Sequence, residues 1–419
     1  MKVMIVGLNY APERIGIAAY TTGMARYLQD RGHHVKVVAG QPYYPAWKPF
    51  AGFGKWQFSR RCEQGIEITR VPHFIPSRPT ASGRIVQHLS FAAAALVPVL
   101  WRAIRWRPDA IIAVAPSLIA SPLAWLASKV CGAPTWLHIH DFEVDAAIAT
   151  GLLPPKSLAV KAAQGFETAM LKRFDIVSAI SPQMCARLAA HGLAPSRIVQ
   201  FRNWADIDPD TSGHPPSLYR NAWDIATPHV ALYAGSLGAK QGLELIIEAA
   251  RALKSRQDLT FVVCGEGPMR AHLERAARAL PNLKVFDLQP RARLAELLNL
   301  ASIHLLPQTS QMADLVLPSK LTNMLASGRP VVATASPETG LAIEIKGCGL
   351  ATTPGHALDF ADAIVRLCDN SKLRESLGQA ARRRAQERWS KSAILSQFEN
   401  RLADLARRRP ERASHARPA

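Results

Sequence analysis

The chain has 419 residues, 48% of them hydrophobic, and carries 51 Lys and Arg against 32 Asp and Glu, a formal net charge of +19. That length exceeds one ordinary core and predicts two domains of roughly 200 residues each. The charge asks for an anionic partner (nucleic acid, membrane surface or phosphorylated substrate) or reflects a generally basic proteome. No RNP-type aromatic strand and no Cys/His finger spacing supports nucleic acid. Cys62, Cys131, Cys185, Cys264, Cys348 and Cys368 stand far apart with no C-x-x-C pair. This argues against a disulfide framework or a zinc site and for a reducing cytoplasm.

The opening segment, MKVMIVGLNYAP, reads as a first strand and not as a signal peptide, because its apolar run is too short. The pattern then predicts strand–helix units: a strand at Lys2–Gly7, a helix at Ile17–Arg31 closed by Gly32, and strands at His34–Ala39, Ile66–Val71, Ala110–Ala115, Thr135–His140 and Ile176–Ile180. Such a parallel sheet puts its ligands on the loops after Gly7, Ala115, His140 and Ile180. Leu89–Trp101 is apolar but too short to cross a bilayer. Arg78 and Arg84 precede it and Arg102, Arg105 and Arg107 follow, so it reads as a helix in a membrane interface or as a core helix with solvated flanks. Ala110–Ser128 is uncharged and as long as a span. Pro116 and Pro122 make strand, loop and helix the better reading.

Pro209, Pro215, Pro216 and Pro228 break this rhythm, so the predicted division is a domain at 1–205, a linker at 206–228 and a second domain at 229–385. Strands follow at Val230–Ala234, Leu259–Cys264, Ser302–Leu306 and Pro330–Thr334, with helices from about Gly242, after Gly265-Glu266-Gly267-Pro268, and over Pro318–Ala326. One long basic helical pattern runs from Ser371 to about Arg408. Its 386–408 part is assigned to a helix returning to the first domain, and 409–419 to a disordered basic tail.

A nicotinamide-binding reading fails. It needs G-x-G-x-x-G after the first strand and an acid ending the second, whereas the chain offers Gly7-Leu8-Asn9-Tyr10 and Val38-Ala39-Gly40. A diphosphate site needs backbone N–H groups at a helix start, helped by a cation. Gly235–Gly242 (GSLGAKQG), with Lys240, supplies one. Pro318-Ser319-Lys320, with Ser319 able to cap, supplies another. Either alone is an ordinary capped helix; two in one domain, with Gly265–Pro268 between, point to a nucleotide diphosphate. Asp206-Ile207-Asp208 has the D-x-D spacing of metal-dependent sugar transferases, but linker turn chemistry explains it. His138 and His140 share a strand face without further ligands, so no metal is assigned.

The segments GSLGAKQGLELIIEAA, VVCGEGPMRAHLE, LPSKLTNMLASGRPVVAT and GCGLATTPG, in this order and spacing, resemble glycosyltransferase family 4. PERIGIAAYTTGMARYLQDRGHHVKVV, LHIHDFEVDAAIATGLL, SAISPQMCARL and FRNWADID extend the resemblance over about residues 1 to 395. YYPAWK, HDFEVDAA and PSKLTNMLASGRPVV are most like the colanic-acid-type exopolysaccharide transferases. The resemblance implies an α/β protein of the GT-B class, two Rossmann-like domains facing across a cleft. It implies retention of anomeric configuration, no metal and no cofactor beyond the nucleotide sugar as co-substrate. Catalytic roles then fall to His140, Asp141 and Lys240. Donor contacts fall to Gly235, Ser236, Lys240, Gly265, Glu266, Gly267, Pro268, Ser319, Lys320 and Asn323, and to the sugar-side loop Glu338, Thr339, Gly340 and Leu341. Acceptor contacts fall to Arg14 and Gly16, although Glu13 and Arg14 read equally well as a solvated pair.

Four positions depart from the family pattern. The two glutamates eight residues apart fall on Leu315 and Asn323, with Asp314 beside the first; the usual loop arginine is Ser236; and Lys240 stands one residue before the usual lysine. The implied partners are a nucleotide-sugar donor (GDP- or UDP-linked, GDP-fucose foremost), a lipid-linked saccharide, an anionic membrane surface and other polysaccharide-assembly enzymes, with no nucleic acid. The implied place is the inner face of the cytoplasmic membrane. The competing readings are a GT-B-fold sugar-nucleotide epimerase and a basic non-enzymatic protein binding membrane or nucleic acid.

Overall fold

A computed structural model describes residues 1–13, 16–77, 80–144, 157–205, 218–238, 241–308, 318–337 and 339–407. The chain forms two compact units, Met1–Asn203 together with Ile394 onward, and Trp204–Ala393.

The first unit is built on an eight-stranded sheet ordered β3-β4-β2-β1-β5-β6-β7-β8. The strands are β1 (Lys2–Gly7), β2 (His34–Gly40), β3 (Ser59–Glu63), β4 (Ile66–Val71), β5 (Ala110–Ala115), β6 (Thr135–Ile139), β7 (Ile176–Ala179) and β8 (Ile198–Gln200). All pairs are parallel except β3 with β4. β1 pairs β2 on one side (Val3 opposite Val35) and β5 on the other (Val3 opposite Ala110). The chain therefore reverses direction across the sheet at β1 and β5, where ligands of open α/β sheets bind. β5 is buried at every position and β6 likewise, as a sheet covered on both faces requires.

The helix Ala81–Arg105 is twice the length read from its apolar run and carries Pro98 inside it. The Thr80 hydroxyl accepts from Gly83 N and starts the helix well before the first apolar stretch. Ala110–Ser128 resolves into β5, a 3-10 turn at Leu118–Ala120 and the helix Ser121–Cys131.

The second unit has a six-stranded parallel sheet ordered β11-β10-β9-β12-β13-β14. Its strands are β9 (His229–Ala234), β10 (Leu259–Cys264), β11 (Leu283–Phe286), β12 (Ile303–Leu306), β13 (Val331–Thr334) and β14 (Gly349–Thr352). Residues 206–217 of the expected linker lie outside the described residues. Tyr219, inside that expected linker, is fully buried in this unit's core.

The long basic pattern is two helices, not one. Ser371–Trp389 and Lys391–Arg407 are separated at Ser390, whose ψ of 118° breaks the helical run. Trp389 is buried in the second unit, where its carbonyl accepts from Ala205 N. Phe398 belongs to the first unit: it packs edge-on to Trp136 at 5.0 Å and stacks on Phe201 at 4.6 Å. Glu399 fixes the orientation of this last helix, accepting from the Tyr27 hydroxyl and from Arg31 Nε and lying 2.9 Å from His33 Nε2.

Candidate functional site

In the second unit, the loops after β9 and β10 interlock through their backbones. Gly235 N donates to Cys264 O, Leu237 N to Glu266 O and Met269 N to Leu237 O, at 2.8 to 2.9 Å. A Cβ at Gly265 would overlap the Gly235 carbonyl, and one at Gly267 would stand 2.7 Å from Leu237 backbone. The glycines thus let two loops share space that side chains would otherwise fill. Glu266, Gly267 and Pro268 are exposed beyond that contact, whereas Gly265 is buried in it.

Beneath the first loop lies Lys320. Its Nζ donates to the Tyr233 hydroxyl and to Gln241 Oε1, both at 2.8 Å, and sits 4.2 Å from the Tyr233 ring centre. A Cβ on Gly235 would be 3.4 Å from the same nitrogen, so this glycine leaves room for the amine. Tyr233 donates onward to Ser236 O at 2.6 Å. Both acceptors of the amine are neutral, and burial alone pulls Lys320 down from its usual value to about 7. The same burial pushes the Tyr233 phenol up, which keeps it neutral.

Lys320 enters from the first turn of the helix Ser319–Ala326. Ser319 does not cap this helix, contrary to its sequence reading. It is already the first helical residue, and Pro318, in the cap position, makes no side-chain cap bond. Asn323 follows Lys320 by three positions, one turn along the same helix. Lys240, Asp314, Leu315 and Glu338 lie outside the described residues. Thr339 caps the helix Gly340–Ile345 through Ala342 N at 3.2 Å, and Leu341 is buried in the core, so from these residues only backbone can face a ligand.

In the first unit, His140 stands just after β6. It is 7% exposed, its ring lies 6.0 Å from that of Tyr20 and 4.3 Å from that of His138, and its Nε2 has no partner among the described residues. Burial holds it near 3, hence as neutral imidazole. His138 differs: its Nδ1 is 2.8 Å from Ser178 Oγ, which also accepts from Trp136 Nε1, so its polar group is satisfied inside the core. Asp141 follows, exposed. No group of three or more potential metal ligands occurs among the described residues.

Gly16 begins the helix Ile17–Asp30 with φ +62°, and nothing lies within 4 Å of where a Cβ would be. Arg14 lies outside the described residues. Glu13 is not part of a solvated pair. It is 2% exposed, and its carboxylate accepts from Tyr43 N (2.7 Å), Tyr44 N (2.9 Å) and Asn9 Nδ2 (2.9 Å). It joins the loop after β1 to the loop after β2. Burial raises its pKa against the lowering by those bonds. Sequence reading missed Glu13, Tyr20, Tyr233 and Gln241. Only the adjacency of Glu13 and Gln241 to glycine-bearing loops could have flagged them.

Family models match this chain in two places: the glycosyl transferase 4-like domain at residues 16–204 and glycosyl transferases group 1 at residues 218–384. WcaI of Escherichia coli (strain K12), a glycosyl transferase named for colanic acid biosynthesis, is 36% identical over 417 residues, covering 96% of this chain and 99% of that protein. An alpha-D-kanosaminyltransferase of Streptomyces kanamyceticus is 29% identical over 212 residues, 50% of this chain and 52% of its own. Among solved structures, sucrose-phosphate synthase from Thermosynechococcus elongatus superposes with a TM-score of 0.72 at 16% identity, covering 96% of this chain and 98% of that one. Anabaena HepE in complex with UDP-glucose gives 0.65 at 17% identity, covering 96% and 100%. The two predominantly parallel sheets, the glycine loops of the second and a full-length relative at this identity agree: the chain is a glycosyltransferase of the GT-B class and belongs to family 4, alongside the colanic-acid-type exopolysaccharide transferases.

Proposed function

We propose that this enzyme moves a sugar from a nucleotide-diphosphate donor to a lipid-linked saccharide, with retention, in assembly of a colanic-acid-like exopolysaccharide. The observation that carries the donor half is Lys320, an amine held among neutral groups under a glycine loop, beside a helix N-terminus whose cap residue, Pro318, makes no side-chain bond. A diphosphate there supplies the charge the amine lacks and accepts from the first-turn N–H groups. As the glycosidic bond to the diphosphate lengthens, negative charge grows on the leaving oxygen. Lys320 and the helix N-terminus stabilise it. Lys240 is the second proposed cation, Ser236 a hydroxyl donor to phosphate, Gly265–Pro268 the flank of the base, and Asn323 the ribose contact.

The neutral His140 offers its unpaired Nε2 to a hydroxyl of the donor sugar, with Asp141 beside it. With no enzymatic nucleophile assigned, the acceptor hydroxyl attacks from the face the diphosphate leaves. Its proton passes to the departing phosphate oxygen, which accounts for retention without a metal. Gly16 and Arg14 are the proposed contacts to the acceptor's own diphosphate. A GDP-linked deoxyhexose such as GDP-fucose is the first donor to try, with UDP-sugars beside it.

The lipid half is supported by the helix Ala81–Arg105. Phe91, Ala95, Val99 and Ala103 are fully buried on one face. Ile85, Leu89, Leu96, Val97, Trp101 and Ile104 are exposed on the opposite one, and the Arg105 guanidinium lies 5.0 Å over the Trp101 ring. Ser82–Arg105 is long and apolar enough to cross a membrane. With 22% of its apolar stretch buried against the core and the other side exposed, it fits a helix lying in the interface of an anionic bilayer. This supports a peripheral position on the inner membrane face, within reach of other polysaccharide-assembly enzymes.

Thermal-shift screening against UDP- and GDP-sugars, followed by transfer assays with lipid-linked acceptors, tests the reading. Acceptor-dependent transfer with retained configuration is the expected result. Conversion of the nucleotide sugar without acceptor would make the protein an epimerase. Nucleic-acid binding with no nucleotide-sugar affinity would make it a basic scaffold.

A further inference from the structure

The first unit holds a cavity of 640 Å³ that the glycosyl-transfer reading does not use. It lies at the amino ends of β6 and β7, where Pro134, Asp175 and Ile176 line it. His140 is at the opposite, carboxyl end of β6, so this space is separate from the sugar-side loops. Its volume is in the range of small-ligand pockets, about 300–1,000 Å³.

Five cations border it: Lys129, Lys172, Arg173, Arg197 and Arg401. Three helices end nearby, and helix C-termini attract cations, so the first question is whether these charges only serve the helix ends. They do not all do so. Arg197 serves the end of the helix Leu158–Leu171, donating to Leu171 O, Lys172 O (2.9 Å) and Phe174 O. Arg173 donates to Ala169 O at 3.0 Å, and Gly132 N closes the helix Ser121–Cys131 on Ser128 O at 2.7 Å. Lys129, Lys172 and Arg401 remain, with no ion pair among the described residues. Both lining acids are engaged elsewhere: Asp175 accepts from Thr135 N and Oγ1, and Asp404 pairs with Arg407.

The wall is aromatic. Trp125 lies under two of the cations, with Arg173 Cζ 5.2 Å and Lys129 Nζ 5.8 Å from its ring. Leu126 and Val130, on the adjacent stripe of the same helix, are exposed. Like charges gathered round a concave space repel one another until an anion enters.

We propose that this cavity is a second ligand site, separate from sugar transfer, which takes a phosphate-bearing molecule. Lys129, Lys172 and Arg401 contact its phosphate, and Trp125 the group beside it. The multivalent charge of a phosphate matches three convergent cations better than a single carboxylate does. The source is either a free phosphorylated metabolite or a phospholipid headgroup.

The test follows tryptophan emission of the whole protein, with Trp125→Phe identifying the reporter and Lys320→Met removing the proposed donor-side cation. One arm titrates inorganic pyrophosphate. The other titrates phosphatidylcholine vesicles with and without phosphatidylglycerol. A pyrophosphate response that persists in Lys320→Met and weakens roughly tenfold per lost cation in Lys129→Glu and Lys172→Glu supports a free phosphate ligand. A response to phosphatidylglycerol alone, lost in the same variants, supports a headgroup. Lys129→Gln and Lys172→Gln replace the reversals if those fail to fold. No response in either arm, or a response unchanged by these substitutions, overturns the proposal.

Discussion

Lys320 ties donor binding to a proton. Its amine titrates near 7 in the free protein, against 10.5 for an ordinary lysine, and desolvation is the cause. At pH 8 about nine molecules in ten therefore hold it neutral. A diphosphate at the amine restores the favoured charge, so donor binding should take up close to one proton at that pH. Nucleotide sugars have no ionisation of their own there. Affinity should weaken by about tenfold, or 1.4 kcal/mol, for each pH unit above 7, until the amine's pKa in the complex is reached. Calorimetric titration in two buffers of different ionisation enthalpy measures the proton count directly.

Lys320→Met should abolish the proton uptake and lower turnover by about 10² to 10³, the usual cost of removing one charge-stabilising donor. The same substitution should stabilise the fold at low pH. A lysine depressed in the folded state destabilises it fully below pH 7, where both states are protonated, and the penalty fades as pH rises from 7 to 10.5. The gain should be roughly 2–4 kcal/mol below pH 7, after discounting for partial solvent screening. Buffer-independent heats, a flat affinity between pH 7 and 9, or Lys320→Met turnover near wild type would each refute the reasoning.

Gly265→Ala should destabilise the second unit by more than about 3 kcal/mol, because its methyl meets the Gly235 carbonyl; an unaltered melting temperature would contradict the interlock. His140→Phe should cut transfer by about 10² while leaving the melting temperature unchanged or raised, since the imidazole buries an unpaired nitrogen; flat kinetics would remove it from the sugar site. Glu13→Gln should lower stability by about 1–3 kcal/mol and raise the acceptor's KM more than it lowers kcat, read from melting curves and acceptor titrations. Leu89→Glu with Trp101→Glu should abolish flotation with phosphatidylglycerol vesicles while donor affinity stays unchanged.

The central strands were legible because both faces of a parallel sheet are covered, and continuous apolar runs such as AIIAVA have few other readings. The edge strands were not. β3, β8 and β14 have no fully buried residue and β11 has one, so no apolar period marks them. The phosphate loops stood out because glycine spacing is a backbone requirement written directly in sequence. The partners of Lys320 did not: Tyr233 is a strand residue and Gln241 a loop residue, distant in the chain by 87 and 79 positions, and only the fold brings them to one amine. Glu13 failed for a related reason. A carboxylate next to an arginine looks solvated until the second loop wraps its N–H groups around it.

The division of the last two helices bears on how the protein is made. Phe398 covers Trp136 and Phe201, yet it is synthesised only after the whole of Trp204–Ala393, about 190 residues later. At ordinary elongation rates that is a delay of about 10 to 40 seconds. During that interval the first unit emerges with an aromatic surface bare, while the second can complete its core from contiguous chain. The unit begun first is thus finished last, and its uncovered face is where a nascent-chain chaperone would have most to hold. Expressing residues 1–203 alone would make that transient exposure permanent.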